Sequence, residues 1–459
     1  MLRVRQTLSG AMLALAFGAC AASPVPTSTA APDISAEALA LLADGQRQNA
    51  DAFRANVLER DKSYSVAARA TAAGWLALLQ GKAGAISQVA FDLELARIVA
   101  LADNGHTHYN LGSILSQANR APIRLAVFGE DFYVVRATAT NQDLLGAKLL
   151  DIDGHTASDL RKAGRSLWGG VDAWRDRAAY SLLESPELLN ALGLATSKHA
   201  ARYTFATAKG AVERTLAGDP PSTARPVSGP AQTLSPTPIP LEETNWRTAL
   251  NAARAPWALQ DWGKTFRWRD APEIDGIVLD MRSTNNSADM KIIDALKMFN
   301  DAIDAKNPTN IVLDLRLNGG GNLLTARQFA RTLPERVPGR IFVLTGPGTF
   351  SAAISTTGYL KQAAPDRVVI VGEPVGDRMM FWAESPPFKL PVGSGSVNIA
   401  TERHDYVDGC RAYSDCHRNV QLVPVALPTL APDISAPWTI EAYLSGRDPG
   451  MEAVIAALK

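Results

Sequence analysis

Ile311-Val-Leu-Asp-Leu-Arg-Leu runs into Asn318-Gly-Gly-Gly-Asn, and Arg340-Ile-Phe-Val-Leu-Thr runs into Gly346-Pro-Gly-Thr-Phe-Ser-Ala-Ala. Each apolar run has the length and composition of a buried strand, and a turn of small residues follows each one. The second turn carries one serine, Ser351, where a helix is predicted to begin. Two such turns after buried strands of one sheet can place an oxyanion hole beside a nucleophile.

Strand and helix patterns alternate on both sides of this stretch. Strands are predicted at 277–281, 311–317, 341–344 and 368–371, and helices at 288–302, 323–332 and 351–363. This β-α-β-α order is typical of a sheet covered by helices, so the C-terminal part is predicted to have an α/β fold.

Two different patterns precede the α/β part. From 34 to about 101, alanine and leucine recur at helical spacing, which predicts an α-helical cap. From 123 to about 205 apolar residues alternate, which predicts a small β-rich domain. Its segment from Leu145 to Gly154 resembles a short motif of PDZ-like modules, which bind peptide ends by strand addition. A β-rich domain without a binding role fits the pattern equally well.

These patterns divide the 459 residues into six parts. The Pro-, Ser- and Thr-rich composition around 220–240 marks a linker. We expect a signal peptide at 1–20, a flexible tether at 21–33, the helical domain at 34–112, the PDZ-like domain at 113–219, a linker and strand lead-in at 220–272, and the α/β domain at 273–459.

The charges of the chain balance. There are 46 Lys and Arg residues and 46 Asp and Glu residues, so the formal net charge is zero. No charge excess favours nucleic acid or an anionic surface, and no nucleic-acid partner is expected.

The N-terminus has the pattern of a secretory signal. Arg3 and Arg5 precede an apolar run from Leu8 to Phe17, which is too short to span a bilayer permanently. Phe17-Gly-Ala-Cys20 resembles a bacterial lipoprotein cleavage box and favours lipidation of Cys20, while Ala19-Cys-Ala21 also fits ordinary signal cleavage. We therefore expect an exported protein, either a periplasmic or outer-membrane-anchored lipoprotein or, alternatively, a secreted one.

Cys410 and Cys416 lie close in sequence and flank Arg-Ala-Tyr-Ser-Asp. In an oxidising compartment such a pair is expected to close a small loop through a disulfide. The rival interpretation is a metal site completed by His417 or His404. Two cysteines with one histidine make a poor zinc set, so the disulfide is favoured and no metal is expected.

Ser351 and the glycine run form the candidate chemical site. A helix N-terminus offers free backbone N–H groups and the positive end of the helix dipole, and both stabilise negative charge. Gly319, Gly320 and Gly321 lack a Cβ, so the backbone N–H of one of them, with Gly319 and Gly320 favoured, can face a substrate oxygen closely, and Ala352 is the second donor. The alternatives are a simple N-cap for Ser351 and an ordinary glycine turn.

The same motifs resemble those of the tail-specific (C-terminal-processing) serine peptidase family, which has a crotonase/ClpP-like catalytic core. The resemblance rests on Asp314-Leu-Arg-Leu-Asn-Gly-Gly-Gly-Asn, on Gly348-Thr-Phe-Ser-Ala-Ala and on Val371-Gly-Glu-Pro-Val-Gly. The segment from Pro432 to Val454 is also similar to the end of that domain. The resemblance implies a serine peptidase catalytic domain at 273–459 with Ser351 as its nucleophile.

The general base distinguishes two branches of that family. The lysine-dependent branch has a lysine shortly after the second glycine of its Gly-Glu-x-x-Gly segment, where this chain has Gly376-Asp-Arg378. Arginine stays protonated and cannot act as a base. Leu101-Ala-Asp-Asn-Gly-His-Thr-His108 resembles instead the Asp-Gly-His-Thr segment of the tricorn-like branch. This favours His106 as the base, with His108 as the alternative.

A third group is expected to orient the imidazole. The resemblance favours Glu373, within Val-Gly-Glu-Pro, and Asp103 is the second choice because it is close to His106 in sequence. Arg316 and Asp314 are expected to support the glycine turn rather than to act in the chemistry.

The expected activity is that of an exported serine endopeptidase acting on peptide or protein substrates without a metal or cofactor. His106 would deprotonate Ser351, and the oxyanion would form against the N–H groups of Gly320 and Ala352. A hydrolase for esters or small peptides would use the same site. A non-catalytic binding protein on the same fold is the alternative from another class, because the family's lysine is absent. A lipidated Cys20 would anchor the protein to a membrane.

Overall fold

The computed structural model describes residues 35–221, 229–239, 245–287, 290–384, 386–411 and 413–459. The expected signal peptide, the tether and Cys20 lie outside these residues. The helices are α1 (Ala36–Phe53), α2 (Val66–Gly81), α3 (Gln88–Ala100), α4 (Leu111–Leu115), α5 (Ala157–Arg165), α6 (Asp172–Ala179), α7 (Pro186–Ala191), α8 (Pro230–Leu234), α9 (Ile292–Lys306), α10 (Leu323–Arg336), α11 (Ala352–Ala363), α12 (Arg418–Leu422), α13 (Ile440–Ser445) and α14 (Pro449–Ala457). In the described ranges, no helix combines the length and the apolarity that a membrane span requires.

The strands are short and form four sheets in the described part of the chain. They are β1 (His108–Tyr109), β2 (Ile123–Phe128), β3 (Asp131–Thr138), β4 (Lys148–Ile152), β5 (His155–Thr156), β6 (Ala200–Thr207), β7 (Gly210–Ala217), β8 (Trp246–Thr248), β9 (Phe266–Ala271), β10 (Gly276–Met281), β11 (Asn310–Asp314), β12 (Ile341–Thr345), β13 (Val368–Gly372), β14 (Met380–Ala383), β15 (Phe388–Lys389), β16 (Ser396–Asn398), β17 (Glu402–Asp405) and β18 (Ile434–Ser435).

The N-terminal helices α1, α2 and α3 each begin at a serine that caps them. Ser35, Ser65 and Ser87 each accept a hydrogen bond from the backbone N–H three residues later. This satisfies a donor that the first turn of a helix otherwise leaves free. The three helices enclose a core that includes the fully buried Phe53 and Phe91.

The middle of the chain forms a sheet of seven strands. Its order is β2-β3-β4-β6-β7, with β5 paired to β4 and β8 paired to β3. Leu125, Val134 and Phe205 are buried in its core. Part of the predicted linker forms helix α8. This helix packs against β2 and β3 and buries Thr233.

The C-terminal sheet has the order β18-β13-β12-β11-β10-β9, and only β9 is antiparallel to its neighbour. Its central strands are rich in Ile, Val and Leu and are buried on both faces, as expected for parallel strands. Helices α9, α10 and α11 cover one face, and α14 covers the other. Since β11, β12 and β13 are parallel, the turns that follow them meet at one edge.

Two element boundaries at this edge differ from the predictions. β11 ends at Asp314 rather than Leu317, because the next residues turn and the N–H of Asn318 donates to the carbonyl of Leu315 at 3.0 Å. Helix α11 begins at Ala352, one residue later than predicted. Both differences place more of the chain in the turns at the sheet edge.

The N-terminal helices dock directly on the C-terminal part of the chain. β1 pairs with β16 in the small antiparallel sheet β1-β16-β15. The side chain of Asn49 exchanges two hydrogen bonds of 2.9 Å with the backbone of Val392. Asp61 accepts a hydrogen bond from the backbone N–H of Ala400 at 2.7 Å. The residues before β1 are therefore fixed against the C-terminal domain.

Candidate active site

Ser351 lies in a strained turn between β12 and α11. Its backbone has φ 54° and ψ −123°, a conformation that costs a residue other than glycine about 1–3 kcal/mol. Thr349 holds the turn by donating to the carbonyl of Leu315 at 2.8 Å, and the N–H of Phe350 donates to the carbonyl of Asn318 at 3.0 Å. Strained strand-to-helix turns of this kind present the nucleophile of α/β hydrolases.

The start of α11 leaves a backbone donor open beside Ser351. Ser351 precedes the helix, but its side chain makes no capping hydrogen bond. This finding does not favour the N-cap interpretation. Nothing in the described part of the chain accepts a hydrogen bond from the N–H of Ala352. A free N–H at the positive end of a helix dipole suits a developing oxyanion.

The glycine turn after β11 lies directly against Ser351. Gly320 has φ +98°, and a Cβ placed on it would lie 2.5 Å from the Cβ of Ser351 and 3.0 Å from the backbone N of Ala352. Only glycine fits at such distances. Because Gly320 has no side chain, the two turns can approach each other this closely.

A hydrogen bond of this turn corrects the predicted oxyanion hole. The N–H of Gly320, predicted as a donor to substrate, already donates to the side-chain oxygen of Asn318 at 2.9 Å. Asn318 is fully buried, and its amide also donates to the carbonyl of Met281 at 2.8 Å. Of the three glycines, all of them described, Gly319 and Gly321 have N–H groups that carry no hydrogen bond. These two are the remaining candidates to act with Ala352.

His106 lies beside a buried carboxylate. Its Nδ1 is 3.4 Å from Oδ2 of Asp377, whose side chain is 1% exposed. This approach is within ion-pair range but does not meet hydrogen-bond geometry, and Nε2 of His106 is buried with no partner in the described ranges. With the proton on Nδ1, facing the carboxylate, Nε2 keeps the lone pair that a general base requires.

Stacked aromatic rings connect His106 to the turn that carries Ser351. The imidazole is stacked between Phe350, with ring centroids 4.3 Å apart, and Phe381, at 4.8 Å. Trp174 also stacks on Phe350, at 3.9 Å. Because Phe350 directly precedes Ser351, the stack holds the imidazole next to the turn that carries the serine.

The loop that carries His106 is fixed by buried side chains on either side of it. Asn104 exchanges hydrogen bonds of 3.0 and 3.2 Å with the backbone of Trp382. Thr107 donates to the carboxylate of Asp61 at 2.7 Å. These contacts give the imidazole little freedom to leave the stack.

Glu373, the first choice to orient the imidazole, has other neighbours. Its carboxylate accepts a long hydrogen bond of 3.4 Å from the backbone N–H of Trp438. Burial raises the pKa of this carboxyl, and the nearby Arg316 opposes that effect only in part. In the described part of the chain, His106 has no ion pair with Glu373; the carboxylate in range is that of Asp377.

Asp103, the second choice to orient the imidazole, is exposed and forms two ion pairs. It accepts from Arg175 at 2.6 Å and from Arg378 at 2.8 Å. Arg378, which follows Asp377, thereby ties the His106 loop to the segment after β13. Asp103 is thus placed to fix the loop and not to contact the ring of His106.

His108, the alternative base, is held in a different environment. Its ring stacks on Trp168 with centroids 4.3 Å apart, and its Nδ1 lies 3.3 Å from the carbonyl of Gly105. Burial, reinforced by the neighbouring His106, lowers the pKa of His108 to about 4. Its partners are packing groups of the loop, whereas His106 has the carboxylate.

Asp377 is the candidate site residue that sequence reasoning missed. It follows Gly376, where the lysine-dependent branch has its base. The missing lysine directs attention to a histidine elsewhere in the chain. It does not by itself indicate a role for Asp377, the residue near the lysine position. An acid at that position, combined with a histidine in an N-terminal loop, is the signal that could have identified it.

Arg316 and Asp314 support the glycine turn from below. Arg316 donates to Asp314 at 3.0 and 2.6 Å and to Asp448, at the start of α14, at 2.7 and 2.9 Å. Two bidentate pairs fix this guanidinium in the turn that leads to Asn318. These four hydrogen bonds tie the turn after β11 to the start of α14.

Cys410 and Cys416 form a disulfide, with Cα atoms 5.9 Å apart. His404 and His417, the rival metal ligands, each pair with a glutamate instead. In the described ranges, no three His, Cys, Asp or Glu side chains cluster so that they could hold a metal ion.

Comparison with solved structures identifies the class of fold. Mature CPAF complexed with lactacystin matches with a TM-score of 0.51 and 13% sequence identity, over 91% of this chain and 98% of that chain. Mature CPAF alone matches with a TM-score of 0.52 and 12% identity, over 91% and 97%. A photosystem II D1 C-terminal processing protease matches with a TM-score of 0.41 and 14% identity, over 90% and 97%. No protein-family model and no curated protein matches the sequence.

The two CPAF structures are tail-specific, or S41, peptidases, so the predicted resemblance in fold is confirmed. The fold class is also confirmed: a crotonase/ClpP-like α/β domain is preceded by a helical cap and a small PDZ-like β-rich domain. At 12–13% identity to CPAF, the likeness establishes the fold. The activity has to come from the chemistry of the site.

Proposed function

We propose that the protein is a serine peptidase in which Ser351 is the nucleophile, His106 the base and Asp377 the acid that orients the base. The observation that carries the proposal is the strained backbone of Ser351. This residue packs against Gly320 and directly follows Phe350, whose ring stacks on His106. Such strain persists only where the surrounding structure enforces it, and it is typical of active sites.

In the proposed mechanism, Nε2 of His106 accepts the proton of the Ser351 hydroxyl as the oxygen attacks a peptide carbonyl. Asp377 faces Nδ1 and stabilises the imidazolium that forms. The N–H of Ala352, with that of a flanking glycine of the turn, binds the oxyanion. The imidazolium then protonates the leaving amine, and water hydrolyses the acyl-enzyme with the same base.

Peptides or proteins are the proposed substrates because the matched solved structures are peptidases. We also propose that the protein works outside the cytoplasm, either anchored through a lipidated Cys20 or secreted. The Cys410–Cys416 disulfide supports export, because such bonds persist in oxidising compartments.

A fluorophosphonate probe, which reacts with activated serines, tests this site in the intact protein. We expect wild type to be labelled and Ser351→Ala to be unlabelled. His106→Phe keeps an aromatic ring in the stack but removes the base, and Asp377→Asn removes only the charge that faces it. Both are expected to slow labelling by about a thousandfold or more.

His108→Phe is the matched control, because it also replaces a stacked imidazole by a stacked ring. It should be labelled at nearly the wild-type rate. Equal labelling of wild type and Ser351→Ala, or of His106→Phe and His108→Phe, would contradict the proposal. A folded wild type that is never labelled but binds peptides would favour the non-catalytic alternative.

A further inference from the structure

A cavity of about 970 Å³, including its solvent-filled mouth, opens at the carboxyl edge of the C-terminal sheet. Its wall contains Leu317 after β11, Gly346 to Gly348 after β12 and Glu373 after β13. Residues 126–129 of the β-rich domain and helix α6 form the opposite wall. Ligands of α/β proteins bind at this edge of the sheet. The turn that carries Ser351 starts in the same wall.

Arg177, from α6, lines this cavity without a counter-ion. No carboxylate in the described ranges is within ion-pair distance of it, and its Nε is buried without a hydrogen-bond partner. Its guanidinium rests against Gly348, where a Cβ would lie 2.7 Å from Nη2. Burial lowers the pKa of Arg177, yet an arginine keeps its charge at neutral pH. Arg177 is half-buried, its Nε is enclosed without an acceptor, and the cavity gives its guanidinium access to a ligand, which points to a ligand that supplies the anion.

Among the other polar side chains of the cavity, Trp438 adds a second donor. The charged side chains of the cavity wall do not pair with Arg177. The indole N–H of Trp438 is buried without a hydrogen-bond partner in the described ranges. Asp176 is held by Arg165 at 2.7 Å, and Arg316 is held by two aspartates. Glu373 also lines the cavity but makes no ion pair with Arg177 in the described ranges, and burial raises the pKa of its carboxyl. The cavity therefore presents two donors that no side chain of its wall engages.

We propose that this site, which we call the Arg177 cavity, binds a carboxylate of the peptide substrate close to the scissile bond. The guanidinium would hold the carboxylate through two parallel hydrogen bonds, with the Trp438 N–H as a further donor. Phe128, Leu317 and Tyr443 would contact the apolar part of the same substrate residue. The inference rests on the proposed function and adds the class of substrate. The carboxylate belongs either to an acidic side chain or to the chain terminus.

Binding to the inactive Ser351→Ala protein separates this inference from the catalytic proposal. The probes are fluorescein-labelled hexapeptides of alanine and leucine, with one position Glu or Gln and the C-terminus free or amidated. Fluorescence anisotropy measures their affinities. At least one carboxylate-bearing peptide should bind about tenfold tighter than the Gln amide, as a charge-assisted pair requires. The Glu amide and the Gln acid show which carboxylate is used.

The role of Arg177 is then tested in the Ser351→Ala background. Arg177→Met should abolish the preference for a carboxylate, and Arg177→Lys should restore part of it. Arg254→Met removes an exposed arginine elsewhere and should leave the preference intact. Circular dichroism checks that each variant is folded, and the preference in the parent protein should weaken as salt is raised.

Equal binding of all four peptides, or no binding of any at millimolar concentration, would overturn the inference. So would a carboxylate preference that survives in folded Arg177→Met. Failure of fluorophosphonate labelling in wild type would refute the proposed function and leave a positive binding result standing. Labelling without a carboxylate preference would refute only the Arg177 cavity.

Discussion

At the scale of single residues, the backbone of Ser351 is the most telling feature. Asp and Asn predominate among the described non-glycine residues with positive φ, and both tolerate the left-handed helical region. Ser351 differs, because its ψ of −123° lies outside that region. The neighbouring turn at Gly320 and the hydrogen bonds of Thr349 and Phe350 leave it no other conformation.

This strain predicts an unusual order of stability at position 351. Ser351→Gly should be more stable than Ser351→Ala by about 1 kcal/mol, because glycine adopts this φ and ψ without a steric penalty. Urea unfolding followed by circular dichroism measures the difference. Gln362 lies inside α11, where the backbone is helical. There the alanine variant should be more stable than the glycine variant, since alanine is the better helix former. An alanine variant at 351 that matches the glycine variant would show that the backbone is not strained.

At the scale of elements, the loop between α3 and β1 decides which histidine can act. A Cβ on Gly105 would lie 2.9 Å from the ring of Phe350, so glycine lets the loop approach the nucleophile turn. His106 then enters the ring stack, whereas His108 belongs to β1 and pairs with Asn398 of β16. Two neighbouring histidines thereby receive different partners.

The buried environment of His108 predicts a pH-dependent contribution to stability. Its pKa falls from 6.5 to about 4 on folding, so between these values the unfolded chain binds the proton and the folded chain does not. The contribution of neutral His108 is therefore present above about pH 6.5 and is lost as the pH falls towards 4, by at most about 3 kcal/mol. His108→Phe keeps the stack on Trp168 and lacks this dependence.

Unfolding of wild type and His108→Phe by urea from pH 7 to pH 4 measures the effect. Relative to the variant, wild type should lose stability on acidification, and the difference should be constant above pH 7. Parallel pH profiles for the two proteins would mean that folding does not lower the pKa of His108.

At the scale of the whole molecule, the proposed active site draws on both ends of the chain. The helical cap contributes His106 to it, and the C-terminal domain contributes Ser351 and Asp377. Buried contacts of Asn49, Asp61 and Asn104 with the C-terminal backbone hold the two parts together. In the proposed mechanism the cap is therefore a component of the site and not only a cover.

Asp61 links the loop of His106 to the C-terminal backbone, and its removal should weaken both stability and activity. It is fully buried and accepts hydrogen bonds from Thr107 and from the N–H of Ala400. Asp61→Ala leaves the N–H of Ala400 unpaired and removes the carboxylate acceptor of Thr107, which should lower the free energy of unfolding by about 3 kcal/mol. Because Thr107 follows His106, fluorophosphonate labelling should slow by about tenfold or more.

Asp44→Ala, on the exposed face of α1, is the control for charge and helix position. It should leave both quantities nearly unchanged. If Asp61→Ala is destabilised but labelled at the wild-type rate under native conditions, the cap would be shown to stabilise the fold without positioning the base.

Much of this architecture could be predicted from the sequence because its signals are local. The apolar runs of β10 to β13, the small-residue turns and the serine caps of α1 to α3 each depend on a few consecutive residues. The contact between Gly320 and Ser351 also followed, since turns after adjacent parallel strands meet at one edge. The hydrogen bond from the Gly320 N–H to the Asn318 side chain could not be predicted, because it depends on the side-chain rotamer in a folded turn.

The sequence by itself determined the order of elements, the nucleophile turn, the glycine turn and the histidine-bearing loop, because each is encoded within a short segment. Only the tertiary structure decided which carboxylate faces His106, which N–H groups stay open, and that Arg177 has no ion-pair partner among the described residues. These are relations between segments far apart in the chain. They depend on packing distances that no local pattern records, and these distances place Asp377, and not Glu373, beside the imidazole of His106.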